Sequence, residues 1–448
     1  MSLPKAFASP EEYFEECFDF FTKYKFVLDG MNTDILINNT LDNINIPCLE
    51  FLDVYDENFT LHDGINDGFV RDFCMGLERL NVSYGEVKER ANSVDLEAPV
   101  GTKKKYEVAT LAKEVEDLCY IYGCDTVIDI GSGLGYLDQI FYEATGHNVL
   151  GLECNLSHYA RAVDRQMKYH DRSLKNVIYL HHRVTKNSGQ EIEQNLRDYF
   201  RNHGAVCITG LHSCGDLAVE GMSVFFKMED ARTLIMMPCC YHKMERRGER
   251  FVNFPMSGVL KAVFERRDGE ELLGVPFMRL AAHPTHNGRS LEQMVFSLMS
   301  RAVLQLYAFT NKCKVSRNRR KAVKVKKCDT FEDYITQAAT EGFTLVPNLP
   351  IYGDMPISDE DEHHQRINNF DLDKLRALWQ SYPQLKFKKA AVYILMQNLM
   401  QPVVENFLLY DRLLYLKEMG VQNCEHRKFF NEGQSPRCIA LIAAKETT

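Results

Sequence analysis

Between residues 124 and 242, short apolar runs alternate with longer stretches in which apolar residues recur at helical spacing. The runs are rich in β-branched residues and read DTVIDIGSG, HNVLGLEC, NVIYLHHRV, AVCITGLHSCGD and TLIMMPCCYH. Parallel strands are buried on both faces and therefore read as continuous apolar runs. The alternation predicts an α/β fold in which helices cover a mostly parallel sheet.

The segments on either side follow other patterns. Residues 1–98 mix amphipathic helical stretches with turns rich in Asn and Asp, which predicts a helical N-terminal region. Residues 245–420 are mostly helical in pattern, with LLGVPFMRLAA as an exception, and strand-like runs return in CEHRKFF and RCIALIAAK. We therefore predict a sheet-forming core in residues 99–244, a large mostly helical insertion in 245–420, and terminal strands in 421–448 that rejoin the sheet.

The most informative motif is VIDIGSGLGYL, where the first apolar run meets a helical stretch. Asp129 lies near the end of the run, and Gly131, Gly133 and Gly135 form a tight turn. Glycines let a backbone approach a ligand closely, and the amide groups that open the helix then face that ligand. The next run ends in Glu153, whose carboxylate is suited to accept hydrogen bonds from two ribose hydroxyls.

The glycine spacing discriminates between ligands. Dinucleotide sites have the pattern G-x-G-x-x-G, whereas this chain has G-x-G-x-G with Tyr136 at the position of the third glycine. A further alternative is that the glycines serve only to make a tight turn. An acidic residue followed by G-x-G-x-G resembles motif I of the class I S-adenosylmethionine-dependent methyltransferases.

That resemblance implies a Rossmann-like class I methyltransferase sheet with S-adenosyl-L-methionine as its cofactor. In that family the acidic residue and the loop hold the methionine part, and the acid after the second strand holds the ribose. His182 or Arg183, which follow the third run, would border the adenine, and the alternative is that they are surface residues of a loop. The predicted cofactor-binding residues are Asp129, Gly131, Ser132, Gly133, Gly135, Tyr136, Glu153 and His182. A class I sheet ends in an antiparallel pair of strands, which the two terminal runs would supply.

Two clusters of polar residues follow the fourth and fifth runs. The first is LHSCGDL, which contains His212, and the second is PCCYH at residues 238–242. Open α/β sheets bind ligands at the carboxyl ends of their strands. We therefore expect both clusters to lie together beside the cofactor.

Both clusters are similar to stretches of the methyltransferase-like protein 25 family. A tRNA 2′-O-methyltransferase of the same branch has a related Cys-Cys-His-His stretch. GTKKKYEV at 101–108, DRLLYLKEMG at 411–420 and SPRCIALIAAK at 435–445 resemble further landmarks of the family. The resemblance implies a methyltransferase.

Three interpretations of PCCYH are open. In the first, Tyr241 shapes the acceptor pocket, and His242 or His212 takes a proton from the acceptor. In the second, Cys239, Cys240, His242 and the cysteine of LHSCGDL bind zinc, although adjacent cysteines do not match the usual C-x₂₋₄-C spacing. In the third, the cysteines are small packing residues. We adopt the first, in which the catalytic residues are His242, Tyr241, Cys240, Cys239 and His212 and no metal is bound.

The acceptor is predicted from charge. The formal net charge of the chain is −9, yet residues 312–327 carry nine Lys or Arg and no acid. Such a segment is typical of contact with nucleic acid, and it is equally typical of a flexible linker or a nuclear import signal. The segment and the tRNA-methylating relative favour RNA as the acceptor. The alternatives are a protein methyltransferase and a non-catalytic module that keeps the fold for binding.

Other sequence features bear on the compartment. The N-terminus lacks the pattern of a secretory signal, and no apolar run is long enough to span a membrane. The fourteen cysteines are scattered without a C-x-x-C pair, which predicts reduced thiols rather than a disulfide framework. We expect a protein of the cytoplasm or the nucleus with no membrane partner.

Overall fold

The computed structural model describes residues 3–85, 87, 99–267, 269–283, 288–319, 322–347 and 370–446. Its strands are β1 (Cys124–Ile130), β2 (Asn148–Glu153), β3 (Val177–His181), β4 (Ala205–Cys214), β5 (Ala231–Cys239), β6 (Arg246–Arg247), β7 (Arg250–Phe251), β8 (Cys313–Arg317), β9 (Phe343–Pro347), β10 (Asn423–Lys428) and β11 (Ile439–Ala444). Its α-helices are α1 (Pro10–Lys23), α2 (Lys25–Leu28), α3 (Leu61–Gly64), α4 (Gly68–Leu80), α5 (Thr102–Tyr122), α6 (Tyr136–Thr145), α7 (Leu156–Tyr169), α8 (Gly189–Tyr199), α9 (Leu217–Lys227), α10 (Gly258–Arg266), α11 (Gly269–Leu272), α12 (Val275–Ala281), α13 (Leu291–Thr310), α14 (Phe331–Gln337), α15 (Leu372–Gln380) and α16 (Gln384–Glu418).

The chain divides into two compact units. The first comprises Met1–Lys23, Glu78–Asn287 and Met400–Thr448, and the second comprises Tyr24–Leu77 and Gly288–Leu399. The domain boundaries proposed from the sequence stay predictions, and the one at residue 98 falls beside residues outside the described ranges.

A seven-stranded sheet in the order β10-β11-β5-β4-β1-β2-β3 forms the centre of the first unit. β1 pairs in parallel with β2 and β4, and β4 pairs in parallel with β5. β11 is antiparallel to both β5 and β10. This arrangement confirms the predicted Rossmann-like class I sheet, including the long insertion between its fifth strand and its last two strands.

The middle of the sheet is held by aliphatic side chains that lie in register. Ile128 pairs with Leu150 on one side and Ile208 on the other, and Ile208 pairs with Leu234. All four are 0% exposed. Burial of each such side chain contributes about 1.5–3 kcal/mol, so this row fixes the register of four strands and thus the positions of their carboxyl ends.

Helix α5 packs on the same core and brings its first turns to the carboxyl edge of the sheet. Val108, Leu111 and Val115 recur at helical spacing, and all three are buried in the cluster that contains Cys207 and Leu211 of β4. Because apolar residues three and four apart share one helix face, this face sets the rotation of α5. The polar residues of its first two turns acquire fixed positions as a result.

The two terminal runs rejoin the sheet as predicted. Leu441 of β11 pairs with Met236 of β5, and Ile442 pairs with Ile235. Leu441 is 0% exposed, as are both of these β5 residues. The end of the described chain is therefore part of the sheet core.

One local expectation was wrong. Residues of LLGVPFMRLAA form helix α12, because Pro276 occupies its first turn, where a missing amide hydrogen costs no helical bond. Part of the basic segment is also ordered as a strand: β8 forms an antiparallel pair with β9. Arg320 and Lys321 of that segment lie outside the described residues.

Among the helices that the structure describes, none combines the length and apolar character of a membrane span.

Candidate active site

The glycine turn after β1 contains three residues with left-handed backbone conformations. The φ angles are +79° at Gly131, +63° at Gly133 and +71° at Gly135. A Cβ atom on Gly131 would lie 2.9 Å from a methyl carbon of Leu217, and one on Gly135 would lie 2.1 Å from the Tyr179 hydroxyl. At Gly133 the nearest atom would be a backbone oxygen at 3.9 Å. Packing thus explains two of the glycines, whereas the third leaves a space at the surface of the turn.

Glu153 fastens this turn to the end of β2. One carboxylate oxygen accepts a hydrogen bond from the backbone N–H of Gly133 at 3.0 Å. The other accepts one from the backbone N–H of Asn155 at 2.6 Å. The side chain is buried, and each carboxylate oxygen keeps lone pairs for a further donor. The predicted ribose ligand therefore borders the open space at Gly133.

Two buried acids lie behind the turn. Burial raises the pKa of Asp129 to about 6. Burial, together with the charge of Asp129, raises the pKa of Asp138 well above its usual range. Because the charge of Asp129 disfavours a second charge at Asp138, Asp138 holds its proton more tightly than Asp129 does.

The charge of Lys104 on α5 acts on this pair. Burial lowers the pKa of its ammonium group, and the charges of Glu107, Asp129 and Asp138 partly offset that effect. The sequence motifs identified neither Lys104 nor Asp138, although Lys104 belongs to GTKKKYEV and Asp138 follows the glycine turn. The site thus has a cation and an anion side by side, which suits a zwitterionic ligand.

The turn also contains polar atoms without protein partners. In the described part of the chain, the Ser132 hydroxyl and one carboxylate oxygen of Asp129 are buried without a hydrogen-bond partner. Unpaired buried polar atoms are costly and uncommon in native proteins. Together with the open space at Gly133, they fit a polar cofactor that would supply the missing hydrogen bonds.

The two remaining predicted cofactor residues are held by neighbours. The Tyr136 ring lies under the guanidinium of Arg165, whose central carbon is 3.9 Å from the ring centroid. The His182 ring nitrogens lie 3.0 Å from the Ser188 hydroxyl and 3.3 Å from a carboxylate oxygen of Glu191. Both side chains are therefore positioned, and their contact with the cofactor stays a prediction.

His212, near the end of β4, is oriented by a buried carboxylate on α5. Its Nε2 lies 3.2 Å from Glu107, which also accepts a hydrogen bond from the Ser435 hydroxyl at 2.7 Å. Although burial opposes ionisation, these two hydrogen bonds lower the pKa of Glu107 to about 2. Because an ionised carboxylate only accepts, Nε2 of His212 carries the proton, and Nδ1 is free to take one. Glu107 belongs to GTKKKYEV, but no sequence pattern indicated its role, because His212 lies 105 residues later in the chain.

The residues of PCCYH point in different directions. Tyr241 is 0% exposed, and its hydroxyl donates a hydrogen bond to Glu405 at 3.0 Å. His242 is half-buried, and burial lowers its pKa. Within the described ranges, Nδ1 of His242 has no hydrogen-bond partner. Tyr241 therefore has a packing position in this structure, while His242 has a buried nitrogen that none of the described residues pairs with. The catalytic roles of both stay predictions.

The three nearby cysteines do come together. Sγ of Cys214 lies 3.1 Å from Sγ of Cys239, and Cys240 completes a group whose sulfur atoms lie within 4.8 Å of one another. The cluster joins the ends of β4 and β5, as expected from the order of the strands.

Comparison with known proteins agrees with this geometry. A family model described as a methyltransferase domain matches residues 103–247. Probable methyltransferase-like protein 25 of Mus musculus is 24% identical over 269 residues, which cover 57% of this chain and 40% of the mouse protein. The Homo sapiens protein of the same name is 26% identical over 273 residues, which cover 57% and 39%. The matched part of the chain thus spans about two fifths of the length of these relatives.

Solved structures superpose only weakly on this chain. The methyltransferase domain of bacterial CtHen1 is 15% identical, with a TM-score of 0.22 over 29% of this chain and 65% of that domain. This superposition is weak, so the fold assignment depends on the strand order described above and on the family match. The match confirms a methyltransferase domain, whose methyl donor is S-adenosylmethionine. Residues 103–247 of the chain thus form a methyltransferase domain, and the chain is similar to the methyltransferase-like protein 25 proteins of mouse and human.

Proposed function

We propose that this protein transfers the methyl group of S-adenosylmethionine to RNA. The main support for methyl transfer is the open space at Gly133, which is bordered by Glu153 and by the Asp129–Asp138 pair. His212, which Glu107 orients, lies at the same edge of the sheet. The cofactor supplies an electrophilic methyl group on a sulfonium. The protein supplies binding, orientation and a proton acceptor.

Different charged residues of the site bind different parts of the cofactor. Glu153 accepts hydrogen bonds from the ribose hydroxyls, since its carboxylate already borders the open turn. Asp129 accepts the ammonium group of the methionine part, and the nearby ammonium of Lys104 pairs with its carboxylate. A ligand that satisfies both charges relieves part of the cost of burying them.

His212 then acts on the acceptor. Its Nδ1 takes the proton that a hydroxyl or amine acceptor loses, while the hydrogen bond from Nε2 to Glu107 keeps the ring in one tautomer and one orientation. His242 is a second proton acceptor at the same edge. In-line transfer depends chiefly on positioning, which the rigid strand ends provide.

RNA is the favoured acceptor because of the basic segment. In the described part of residues 312–327, Lys312, Lys314, Arg317, Arg319, Lys324, Lys326 and Lys327 are all exposed. Arg319 is paired with Glu341. β8 presents part of this positive charge on an ordered strand rather than on a loose linker. Phosphate contacts by Lys and Arg release counterions and provide most of the affinity for nucleic acid.

Gly133→Ala tests the cofactor space. The added methyl group would occupy that space and should weaken S-adenosylmethionine binding about 10-fold, since overpacking typically costs 1–3 kcal/mol. Gly123→Ala is the matched control, because Gly123 has a φ of +66°, has open space around it and lies at the opposite end of β1. Both variants should lose about 1–2 kcal/mol of stability from a left-handed alanine. If calorimetry finds equal cofactor affinity in the two folded variants, the glycines serve only to form the turn and do not border the cofactor.

The raised pKa of Asp129 predicts a pH-dependent cofactor affinity. Below a pKa of about 6 the side chain is neutral in the free protein. Binding the ammonium group then requires release of its proton, so the association constant should fall by up to about tenfold per pH unit below 6. Asp129→Asn should bind weakly at pH 8 and lose this dependence. A wild-type affinity that stays constant between pH 5 and 8 would contradict the assignment.

Glu107→Gln tests the orientation of His212. The glutamine amide can present either an oxygen or an NH₂ group to Nε2, so the tautomer is no longer fixed. We expect kcat to fall on the order of 100-fold, the lower end of a general-base contribution, with S-adenosylmethionine affinity unchanged. Glu114→Gln is the control, since Glu114 is a buried carboxylate on the same helix that pairs with Arg427. A loss of kcat that is equal in both variants would indicate a purely structural effect.

Transfer of tritiated methyl groups to total RNA and total protein from cells lacking the gene identifies the acceptor class. Label in RNA is the expected result. Label in protein alone would establish a protein methyltransferase, and absence of both transfer and cofactor binding would indicate a non-catalytic module.

Charge reversal then tests the basic segment. Changing Lys312, Lys314, Lys324 and Lys326 to Glu should weaken RNA binding and flatten its salt dependence, because fewer counterions are released. The control changes the exposed Arg172, Lys175, Arg197 and Arg201 to Glu, which alters the net charge equally. Equal affinity and salt slope in the two variants would leave the segment without a role in RNA binding.

A further inference from the structure

A cluster of three thiols at the ends of β4 and β5 is not used by the steps above. Cys214 and Cys239 are register partners, with Sγ atoms 3.1 Å apart. Cys240 follows directly, and all three sulfur atoms lie within 4.8 Å of one another. Among the described residues, no His nitrogen or carboxylate joins this group, and His242 lies outside it.

The backbone at Cys240 explains how two adjacent cysteines can face one point. Consecutive side chains of an extended strand point to opposite faces. Cys240 departs from the strand with φ +50° and ψ 44°, in the left-handed region. This conformation costs a residue with a side chain roughly 1–2 kcal/mol. It ends the alternation and brings the Cys240 sulfur to the same side as that of Cys239.

Hydrogen bonds join the loop that follows β4 to the loop that follows β5. The backbone N–H of Gly215 donates to the carbonyl oxygen of Cys239 at 3.1 Å. The Asp216 carboxylate accepts from the Glu245 backbone at 2.6 Å and from the Asn253 amide at 2.9 Å. The three sulfurs are therefore held together by the surrounding backbone before any ligand binds.

We propose that Cys214, Cys239 and Cys240 bind a zinc ion through three thiolates and leave its fourth coordination position open. Zinc binds thiolates at about 2.3 Å in a tetrahedral arrangement, which separates the sulfurs by about 3.8 Å. The Cys214–Cys239 separation of 3.1 Å lies below that value, and all three sulfurs lie within 4.8 Å of one another. A short adjustment of side-chain torsions is enough to reach it.

The exposure of the three cysteines indicates that the fourth coordination position of the zinc is open. Cys214 is exposed, Cys239 is buried and Cys240 is half-buried, so one side of the cluster is accessible. A fully enclosed structural zinc site has four protein ligands, whereas a site with three protein ligands takes water or a substrate atom as the fourth. The positive charge of Lys243 acts on the Cys214 and Cys240 thiolates and compensates part of their negative charge.

The other interpretations account for less of the geometry. A disulfide would join Cys214 and Cys239 at about 2.05 Å and leave the third sulfur unused. Simple packing of small side chains gives no reason for the left-handed backbone at Cys240. A shared ligand uses all three sulfurs.

Metal analysis of the purified full-length protein tests the proposal. After addition of zinc under reducing conditions and removal of the excess, we expect an equimolar amount of zinc by mass spectrometry. Cys214→Ser, Cys239→Ser and Cys240→Ser should each lose most of it. Cys154→Ser should keep it, because Cys154 is an equally exposed thiol that lies after β2. Zinc absent from the wild type, or retained in all three variants, would overturn the proposal.

A second measurement does not depend on the folding of the variants. Co²⁺ added to the reduced wild-type protein should produce the near-ultraviolet thiolate-to-cobalt charge-transfer band and the visible bands of a tetrahedral site. Zinc should displace it and abolish these bands. A protein without these bands, or one in which thiol counting finds a Cys214–Cys239 disulfide after purification in reductant, would contradict a zinc site. Neither measurement uses methyl transfer, so these outcomes are independent of those that test the proposed function.

Discussion

The parallel pairing of β1, β2, β4 and β5 is the constraint on which the site depends. Parallel strands end at the same edge of a sheet, so groups that are far apart in the sequence become neighbours there. Asp129, Glu153, His212 and Cys239 lie at or near four such ends. A shift of one residue in any strand would turn its side chains to the opposite face. The aliphatic row across the middle of the sheet prevents that shift.

The same edge concentrates buried carboxyl groups, and each is stabilised differently. Glu107 receives hydrogen bonds from a histidine and a serine, and Glu153 receives them from two backbone amides. Burial instead raises the pKa of both Asp129 and Asp138, and the charge of Lys104 partly offsets that increase. These differences give neighbouring acids distinct protonation states at one pH, which a site needs if one group must pair with a cation while another orients a base.

The sequence predicted the parts of the fold whose signals are local. The apolar runs, the glycine turn and the terminal strands each have a pattern within a dozen residues. The strand order confirms the runs and the terminal strands, and the backbone angles confirm the tight turn. Lys104, Glu107 and Asp138 gave no comparable signal, because their roles arise only when helices pack against the ends of distant strands. The thiol cluster was also not predictable, because a strand pattern implies that Cys239 and Cys240 point to opposite faces. The left-handed backbone at Cys240 changes this and brings the three sulfurs together.

The position of β11 has a consequence for how the protein is made. During synthesis, β5 can pair with β11 only after about 200 further residues of the chain have been made. At typical rates of synthesis, the interval is roughly 10–40 s. During that time one edge of β5, with its apolar residues Leu234, Ile235 and Met236, has no strand beside it. Unpaired strand edges readily join other chains, so a nascent chain of this length is exposed to aggregation until its final strands emerge.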